Sequence, residues 1–286
     1  MSYNQNFDGS VPNEPIYFSE KLNLPDITLY NTYDKRFSYP DDPLLDGAHI
    51  HDDYEIYVHV AGNCSFLVNN AIYPLSRGDV ILTRPGDVHL MILNEPSVTE
   101  HFCLWFTPSC GKELLSFIEN KDFCNHMSFP DEIGKKLISL FYEIDPNDKT
   151  ISELKKISHV LQIILILSQK TAEAPRGVLS LPDEMQAIIN YIDSEFCAIK
   201  GITDIAEKFN VSTATLNRRF KKYIHISPLE FLKAKRLSHA KKLLDGGATV
   251  TESCMRSGFS DCSYFISVFK QKFGETPYKY QKNLSE

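Results

Sequence analysis

Ile202-Thr-Asp-Ile-Ala-Glu-Lys-Phe-Asn-Val-Ser-Thr-Ala-Thr-Leu-Asn-Arg-Arg-Phe-Lys-Lys222 lies in the last third of the chain. Its pattern returns as Val250-Thr-Glu-Ser-Cys-Met-Arg-Ser-Gly-Phe-Ser-Asp-Cys-Ser-Tyr-Phe-Ile-Ser-Val-Phe-Lys270. Phe220 and Phe269 are 49 positions apart, as are Pro228 and Pro277, each Pro following a Ser or Thr. Each copy reads as a short support helix, a turn and a second helix, which is the helix-turn-helix pattern. In the first copy Ile202, Ile205, Ala206 and Phe209 form the apolar face, and Ala206 is small where two helices cross closely. Asn210-Val211 makes the turn, Ser212 caps the second helix, and Leu216 and Phe220, four apart, point inward. In the second copy Gly258-Phe259 makes the turn, Ser260 or Asp261 caps, and Phe265 and Phe269 point inward.

Outward positions near the start of such a second helix reach base edges in a major groove. They are Thr213, Ala214, Asn217 and Arg218 in the first copy, and Cys262, Ser263, Ile266 and Ser267 in the second. Asn pairs with adenine and Arg with guanine, each through two hydrogen bonds. Ser212, Lys221, Lys222, Lys270 and Lys272 sit where phosphate contact is expected. A solvated helix face is the alternative reading of any one exposed Arg, and the doubled pattern is what favours DNA.

Charge agrees with this division. The net charge is −7, yet residues 183–286 carry 16 Lys and Arg against 12 Asp and Glu, a net +4. Residues 1–182 carry 14 against 25, a net −11. A basic module behind an acidic one suits DNA binding by one domain only. No apolar run approaches the ~20 residues of a membrane span, and Met1 to Gly9 lacks the apolar core of a signal peptide. A cytoplasmic protein is expected. The seven Cys (64, 103, 110, 124, 197, 254 and 262) show no C-x-x-C spacing, which predicts reduced, mostly buried thiols.

Ahead of the repeats, residues 1–40 read as an irregular arm. Glu55–Val60, Ser65–Val68, Val80–Thr83 and Phe102–Phe106 are short β-rich runs between turn signals, predicting a small barrel or sandwich over about 45–106. Ile133–Tyr142 and Ile151–Gln169 have helical spacing. The second is apolar on more than one side: Leu154, Ile157, Leu161, Ile164 and Leu165 form one stripe, and Val160, Ile163 and Leu167 another. A dimer helix and a merely buried helix both fit that pattern. Thr171–Pro182 reads as a linker, and the helix from Pro228 to Leu244 stops at Asp245-Gly246-Gly247.

His49-x-His51-x-x-x-Glu55, with Gly62 beyond it, and Pro85-Gly86-Asp87-Val88-His89 gather three imidazoles and a carboxylate. On one extended strand His49, His51 and Glu55 face one side, with His89 supplied by a neighbouring strand. Such donors can hold a transition metal. Asp52 and Asp53 read as solvated turn residues, and His59 as a hydrogen-bonded core histidine sharing its inward parity with Tyr57. Trp105 offers a stacking surface or core packing.

The Arg-Arg-Phe-Lys-Lys run, Ser227-Pro228, Lys235-Arg236-Leu237, Gly258-Phe259, Ser263-Tyr264-Phe265 and Phe273-Gly274-x-Thr276-Pro277 resemble the AraC/XylS family of bacterial transcription regulators over roughly 185–284. The His and Glu motifs resemble those of the cupin barrel over roughly 45–106, although the second motif is one residue short of the family spacing. The resemblance implies a two-domain α+β protein. Residues 1–170 would form a cupin-like effector-binding and dimerisation domain, with helices about 133–170 and a linker at 171–184. Residues 185–284 would form an all-α DNA-binding domain whose helix-turn-helix units span 202–223 and 250–273. The partners implied are double-stranded DNA, RNA polymerase, a small-molecule effector and a second copy of the chain, with no membrane. His49, His51, Glu55, His89, Tyr57 and Trp105 would line the effector site, with a sugar as one effector class. A metal held by His49, His51, Glu55 and His89, and purely structural roles, are the competing readings. No catalytic motif is present, so a non-enzymatic regulator, acting as an activator, is expected. The alternative is a cupin metal-dependent enzyme or metal sensor fused to a DNA-binding module. Four positions depart from the family: His225 where Gly is usual, Ser253-Cys254 where Ile-Ala is usual, and Ser267 where Arg is usual. Ser267 cannot bond guanine through two donors, so the first unit is expected to supply most base discrimination.

Overall fold

A computed structural model describes residues 16–24, 27–40, 50–107, 114–120, 123–129, 131–144, 151–170 and 178–284. The chain divides into two compact units, residues 1–46 with 53–179, and residues 47–52 with 180–286.

The first unit is built on strands β1 (Ile16–Leu24), β2 (Ile27–Ser38), β3 (Tyr54–Ala61), β4 (Cys64–Val68), β5 (Ala71–Pro74), β6 (Val80–Thr83), β7 (His89–Leu93), β8 (Ser97–Phe106) and β9 (His126–Met127). One sheet has the order β1-β2-β8-β3-β6-β9, and in a smaller one β4 lies between β5 and β7. All the pairings are antiparallel. Within the segment read as an irregular arm, β1 and β2 instead form a long hairpin. β1 pairs with β2 from Ile16↔Lys35 to Leu24↔Ile27, and β2 continues the sheet through β8. The sheet therefore starts well before residue 45. Mixed polar and aromatic residues concealed the hairpin, because β2 buries Asn31, Thr32, Tyr33 and Asp34 without apolar alternation.

Strand period sorts the large sheet into two faces. Tyr54, Ile56, Val58 and Val60 of β3, Val80 and Leu82 of β6, and Phe102, Leu104 and Phe106 of β8 share one core with two helices. These helices are α1 (Asp131–Tyr142) and α2 (Glu153–Ser168). The opposite face carries Tyr57, Ile81 and Cys103, which meet Phe66, Val68 and Tyr73 of the smaller sheet. α2 has both of the expected sides. Val160, Ile163, Ile164 and Leu167 are buried against the sheet, whereas Leu154, Leu161 and Leu165 are 75%, 45% and 55% exposed. Ile164 thus belongs to the buried stripe, not the outer one.

The second unit contains α3 (Asp183–Glu195), α4 (Ile202–Lys208), α5 (Thr213–Tyr223), α6 (Pro228–Asp245), α7 (Val250–Arg256), α8 (Cys262–Phe273) and α9 (Pro277–Leu284). Sequence punctuation sets their ends. Ser227 and Thr249 open α6 and α7 with capping boxes completed by Glu230 and Glu252, each satisfying two otherwise orphaned backbone donors. α6 stops at Gly246, followed by Gly247 at φ 83°. At 18 residues, α6 is about 27 Å long. Asp52, read as a solvated turn residue, is buried in this unit and accepts the Ser238 hydroxyl at 2.7 Å.

Candidate functional site

Two places gather chemistry. The first is the helix-turn-helix pair. In the first unit Ile205 and Ala206 of α4 and Leu216 and Phe220 of α5 are fully buried, with Ile202 and Phe209 half-buried beside them. Asn210 makes the turn at φ 52°, a left-handed conformation that Asn tolerates. Ser212 caps α5, its Oγ accepting from the Thr215 backbone at 3.1 Å. That hydroxyl is engaged in the cap, so a phosphate would share it. Ala214 and Arg218 are exposed, as are Lys221 and Lys222 at the far end of α5, and Thr213 is half-exposed. Arg219 is bound to Glu184 of α3, which leaves Arg218 as the outward arginine. Asn217 is half-exposed and donates its amide to the Thr213 carbonyl at 2.8 Å. To reach a base, it gives up that bond.

In the second unit Asp261, not Ser260, is the cap, accepting from the Ser263 and Tyr264 backbones at 2.7 and 3.2 Å. Phe265 and Phe269 are buried as expected, and Val268 joins them. Ser263, Ile266, Ser267, Lys270 and Lys272 are exposed. Cys262 is half-buried: one side packs against the unit's core, with its sulfur 2.7 Å from that of Cys254. The two units are not exact copies. Four residues (209–212) separate α4 from α5, and five (257–261) separate α7 from α8. Asn210 and Gly258 hold the left-handed position in each turn, so the additional residue falls after Gly258.

Arg236, on α6, joins the halves of this unit. Its Nε donates to the Phe196 carbonyl at 2.9 Å, another guanidinium nitrogen donates to Ile199, and its plane lies 5.9 Å from the Phe259 ring centre. The same region holds the closest backbone approach. A Cβ on Gly258 would stand 2.6 Å from the Cys197 carbonyl oxygen.

The second place lies between the two sheets. Parity on β3 points Glu55, Tyr57 and His59 inward, and all three are buried. Parity on β8 adds His101 and Cys103, and brings Trp105, half-buried, against the same cluster. His89 enters from β7 of the facing sheet, not from a neighbouring strand, and its Nε2 stands 3.0 Å from Glu55. The turn that delivers it has Gly86 at φ 91°, with Asp87 accepting from the Arg84 backbone at 2.9 Å. His89 Nδ1 lies 2.9 Å from the Asp87 carbonyl, which can only accept, so the proton sits on Nδ1. Nε2 faces the Glu55 carboxylate across the two sheets. His51 precedes β3 and is not part of the strand. His49 lies outside the described residues.

Burial controls the other titratable groups here. His59 is pushed down to about 4 because its imidazole is desolvated. It is neutral, with Nε2 donating to Gly62 at 3.0 Å and Nδ1 facing the Tyr57 hydroxyl at 3.3 Å. This matches the reading of a hydrogen-bonded core histidine. His101, stacked on Tyr57 with ring centres 5.0 Å apart, is lowered for the same reason. The Cys103 thiol beside Glu55 is held well up by burial and by that carboxylate. Sequence reading overlooked His101, although its parity with Trp105 on β8 was available. It also overlooked the buried Asp34 and its partner Arg36, because both lie on the hairpin read as irregular.

Comparison with known proteins gives two domain matches. Residues 39–150 match the AraC-like ligand binding domain, and residues 205–283 match a helix-turn-helix domain. The HTH-type transcriptional activator RhaR of Mannheimia succiniciproducens is 25% identical over 262 residues, covering 88% of this chain and 92% of its own. The activator RhaS of Escherichia coli is 23% identical over 244 residues, covering 80% and 85%. Among solved structures, ToxT of Vibrio cholerae aligns over 94% of this chain and 98% of its own, at 15% identity and a TM-score of 0.36. Among the described residues no helix is long and apolar enough to cross a membrane.

Proposed function

The chain belongs to the AraC family of transcription regulators, and on that premise we propose that it activates transcription when a small molecule occupies the space between its two sheets. The observation that carries the DNA-binding half is the pair of capped second helices, α5 and α8, with exposed N-terminal faces and lysines in their last turns. Thr213, Ala214, Asn217 and Arg218 are the base-reading set of the first unit, and Ser263, Ile266 and Ser267 of the second. Lys221, Lys222, Lys270 and Lys272 hold phosphates, and RNA polymerase is the partner at the promoter. Two of the relatives are named activators, which supports the direction of control.

The units divide the labour unequally. Arg218 can make a bidentate guanine contact and Ser267 cannot. Arg218→Ala is expected to cost about 1–3 kcal/mol on the specific site and to relax base preference there, while Ser267→Ala changes little. Gel-shift or fluorescence titrations on a selected DNA site measure both, and equal large losses would refute the asymmetry. Phosphate contacts require log K to fall steeply with log salt, so a flat salt titration would remove DNA binding itself.

The effector half rests on a mixed surface of Tyr57, Phe66, Tyr73 and Trp105 rings beside Glu55, His59, His89 and His101. Aromatic faces with a few convergent polar groups suit a small polyhydroxylated molecule such as a sugar. The effector must bind two states of the regulator unequally to act as a switch. A compound that binds this site yet leaves operator affinity and transcription unchanged would sink the proposal.

A second reading is favoured by one observation, His89 Nε2 standing 3.0 Å from the Glu55 carboxylate. A divalent transition ion held by His89 and Glu55 suits that donor set. Metal analysis of protein purified without added metal separates the readings: stoichiometric metal lost in Glu55→Gln protein favours the ion.

A further inference from the structure

Cys254 and Cys262 stand on the two helices that cross in the second helix-turn-helix. Cys254 is fully buried on α7, where it is small enough for the crossing. Cys262 is the first residue of α8 and is partly exposed. Their sulfurs are 2.7 Å apart, so closing to the disulfide length of about 2.05 Å requires movement of less than about 1 Å. The corresponding positions of the first unit, Ala206 and Thr213, carry no sulfur. Of the other thiols among the described residues, Cys64 and Cys103 are buried and Cys124 is half-buried in the first unit, and the exposed Cys197 points its sulfur at the Arg256 carbonyl, 3.1 Å away.

We propose that Cys254 and Cys262 form an oxidisable pair, closed by hydroperoxides into an intramolecular disulfide across the second helix-turn-helix. The accessible Cys262 is the attacking sulfur. Its thiolate attacks one peroxide oxygen, the O–O bond breaks, and the other oxygen leaves as the alcohol or water after taking a proton. Cys262 is then a sulfenic acid. The Cys254 sulfur attacks that sulfur, the S–O bond breaks, and hydroxide leaves as water with the thiol proton. Two thiols lose two electrons to one hydroperoxide, giving one disulfide, one alcohol and one water. Burial and the adjoining Cys262 push the Cys254 thiol up to about 12. The resolving step is therefore the slow one, and disulfide formation accelerates as pH rises. The bond draws Cys262 further toward Cys254 and fixes the start of α8, next to the exposed Ser263.

The full-length protein treated with tert-butyl hydroperoxide tests this. Arg256 lies between the two cysteines, so tryptic cleavage there leaves two peptides that only the disulfide holds together. That linked pair is expected, reversed by dithiothreitol and absent from Cys262→Ser protein. In Cys254→Ala protein, which carries the residue usual in the family, Cys262 should instead be trapped as sulfenic acid by a carbon nucleophile. Both thiols remaining free, or a bond joining Cys197 to either one, overturns the proposal. A parallel titration on the selected DNA site should show affinity falling several-fold on oxidation in wild type and not in Cys262→Ser. That arm rests on the second unit contacting DNA, and the peptide arm does not. A disulfide without any change in affinity therefore supports the pair and removes the first turn of α8 from the DNA contact.

Discussion

His225 holds left-handed backbone, at φ 60°, just after α5, with its N–H donating to the Phe220 carbonyl at 3.0 Å. Most L-residues resist that conformation because Cβ approaches the following carbonyl, at a cost of roughly 1–2 kcal/mol. Here is the physical reason that glycine is usual at this point in the family. Part of the relief is offset by glycine's greater entropy in the unfolded chain. His225→Gly is expected to raise stability by about 0.5–1 kcal/mol, read as a higher denaturant midpoint with the slope unchanged. Gly258 is the opposite case. At φ 81°, with the Cys197 backbone where its Cβ would be, Gly258→Ala meets both the backbone strain and an immovable neighbour. A loss of about 2–4 kcal/mol is expected, measured by the same denaturation. A loss below 1 kcal/mol would mean that the backbone at 197 yields.

At the scale of elements, β3 shows how a simple alternation builds both a core and a site. Its even residues fill the helix-covered core, and its odd residues, Glu55, Tyr57 and His59, are buried on the opposite face. His59 is held at about 4 in the fold against 6.5 in the unfolded chain. As pH falls through that window, the unfolded chain takes up a proton that the fold refuses, so stability is lost between about 6.5 and 4 and not above it. The loss attributable to this residue is on the order of 3 kcal/mol, and His101 adds to it in the same direction. Urea midpoints between pH 7 and 4 should fall less steeply in His59→Gln protein, and parallel slopes would show that His59 protonates freely.

The same strand marks what sequence could and could not disclose. Local rules were legible: the alternation of β3, the Ser and Thr caps, the Gly and Asn turns, and the inward phenylalanines of α5 and α8. Long-range placement was not. Nothing local says that polar β2 lies beside β8, that His89 faces Glu55 from the other sheet, or that Cys262 turns in toward Cys254. These depend on which strand or helix a segment packs against, and short-range periodicity does not carry that information.

At the scale of the whole molecule, Leu154, Leu161 and Leu165 of α2 are exposed and repeat at intervals of seven and four. A second copy of the helix is the occupant proposed for that stripe. Replacing both Leu161 and Leu165 by Glu is expected to convert a dimer to a monomer in sedimentation velocity, with the monomer's circular dichroism unchanged. Identical sedimentation of the two proteins would place dimerisation elsewhere.

The Arg236 clamp and the Gly258 contact have a consequence for the DNA itself. They tie the C-terminal end of α3 to the second reading unit, while α6 spans the gap as a continuous rod. Two readers held this way cannot adjust their separation independently. One base pair inserted between their half-sites rotates the second groove by about 34° and moves it by about 3.4 Å. The operator should therefore tolerate substitutions in the spacer far better than changes in its length, so that the protein measures distance along DNA as strictly as it reads sequence.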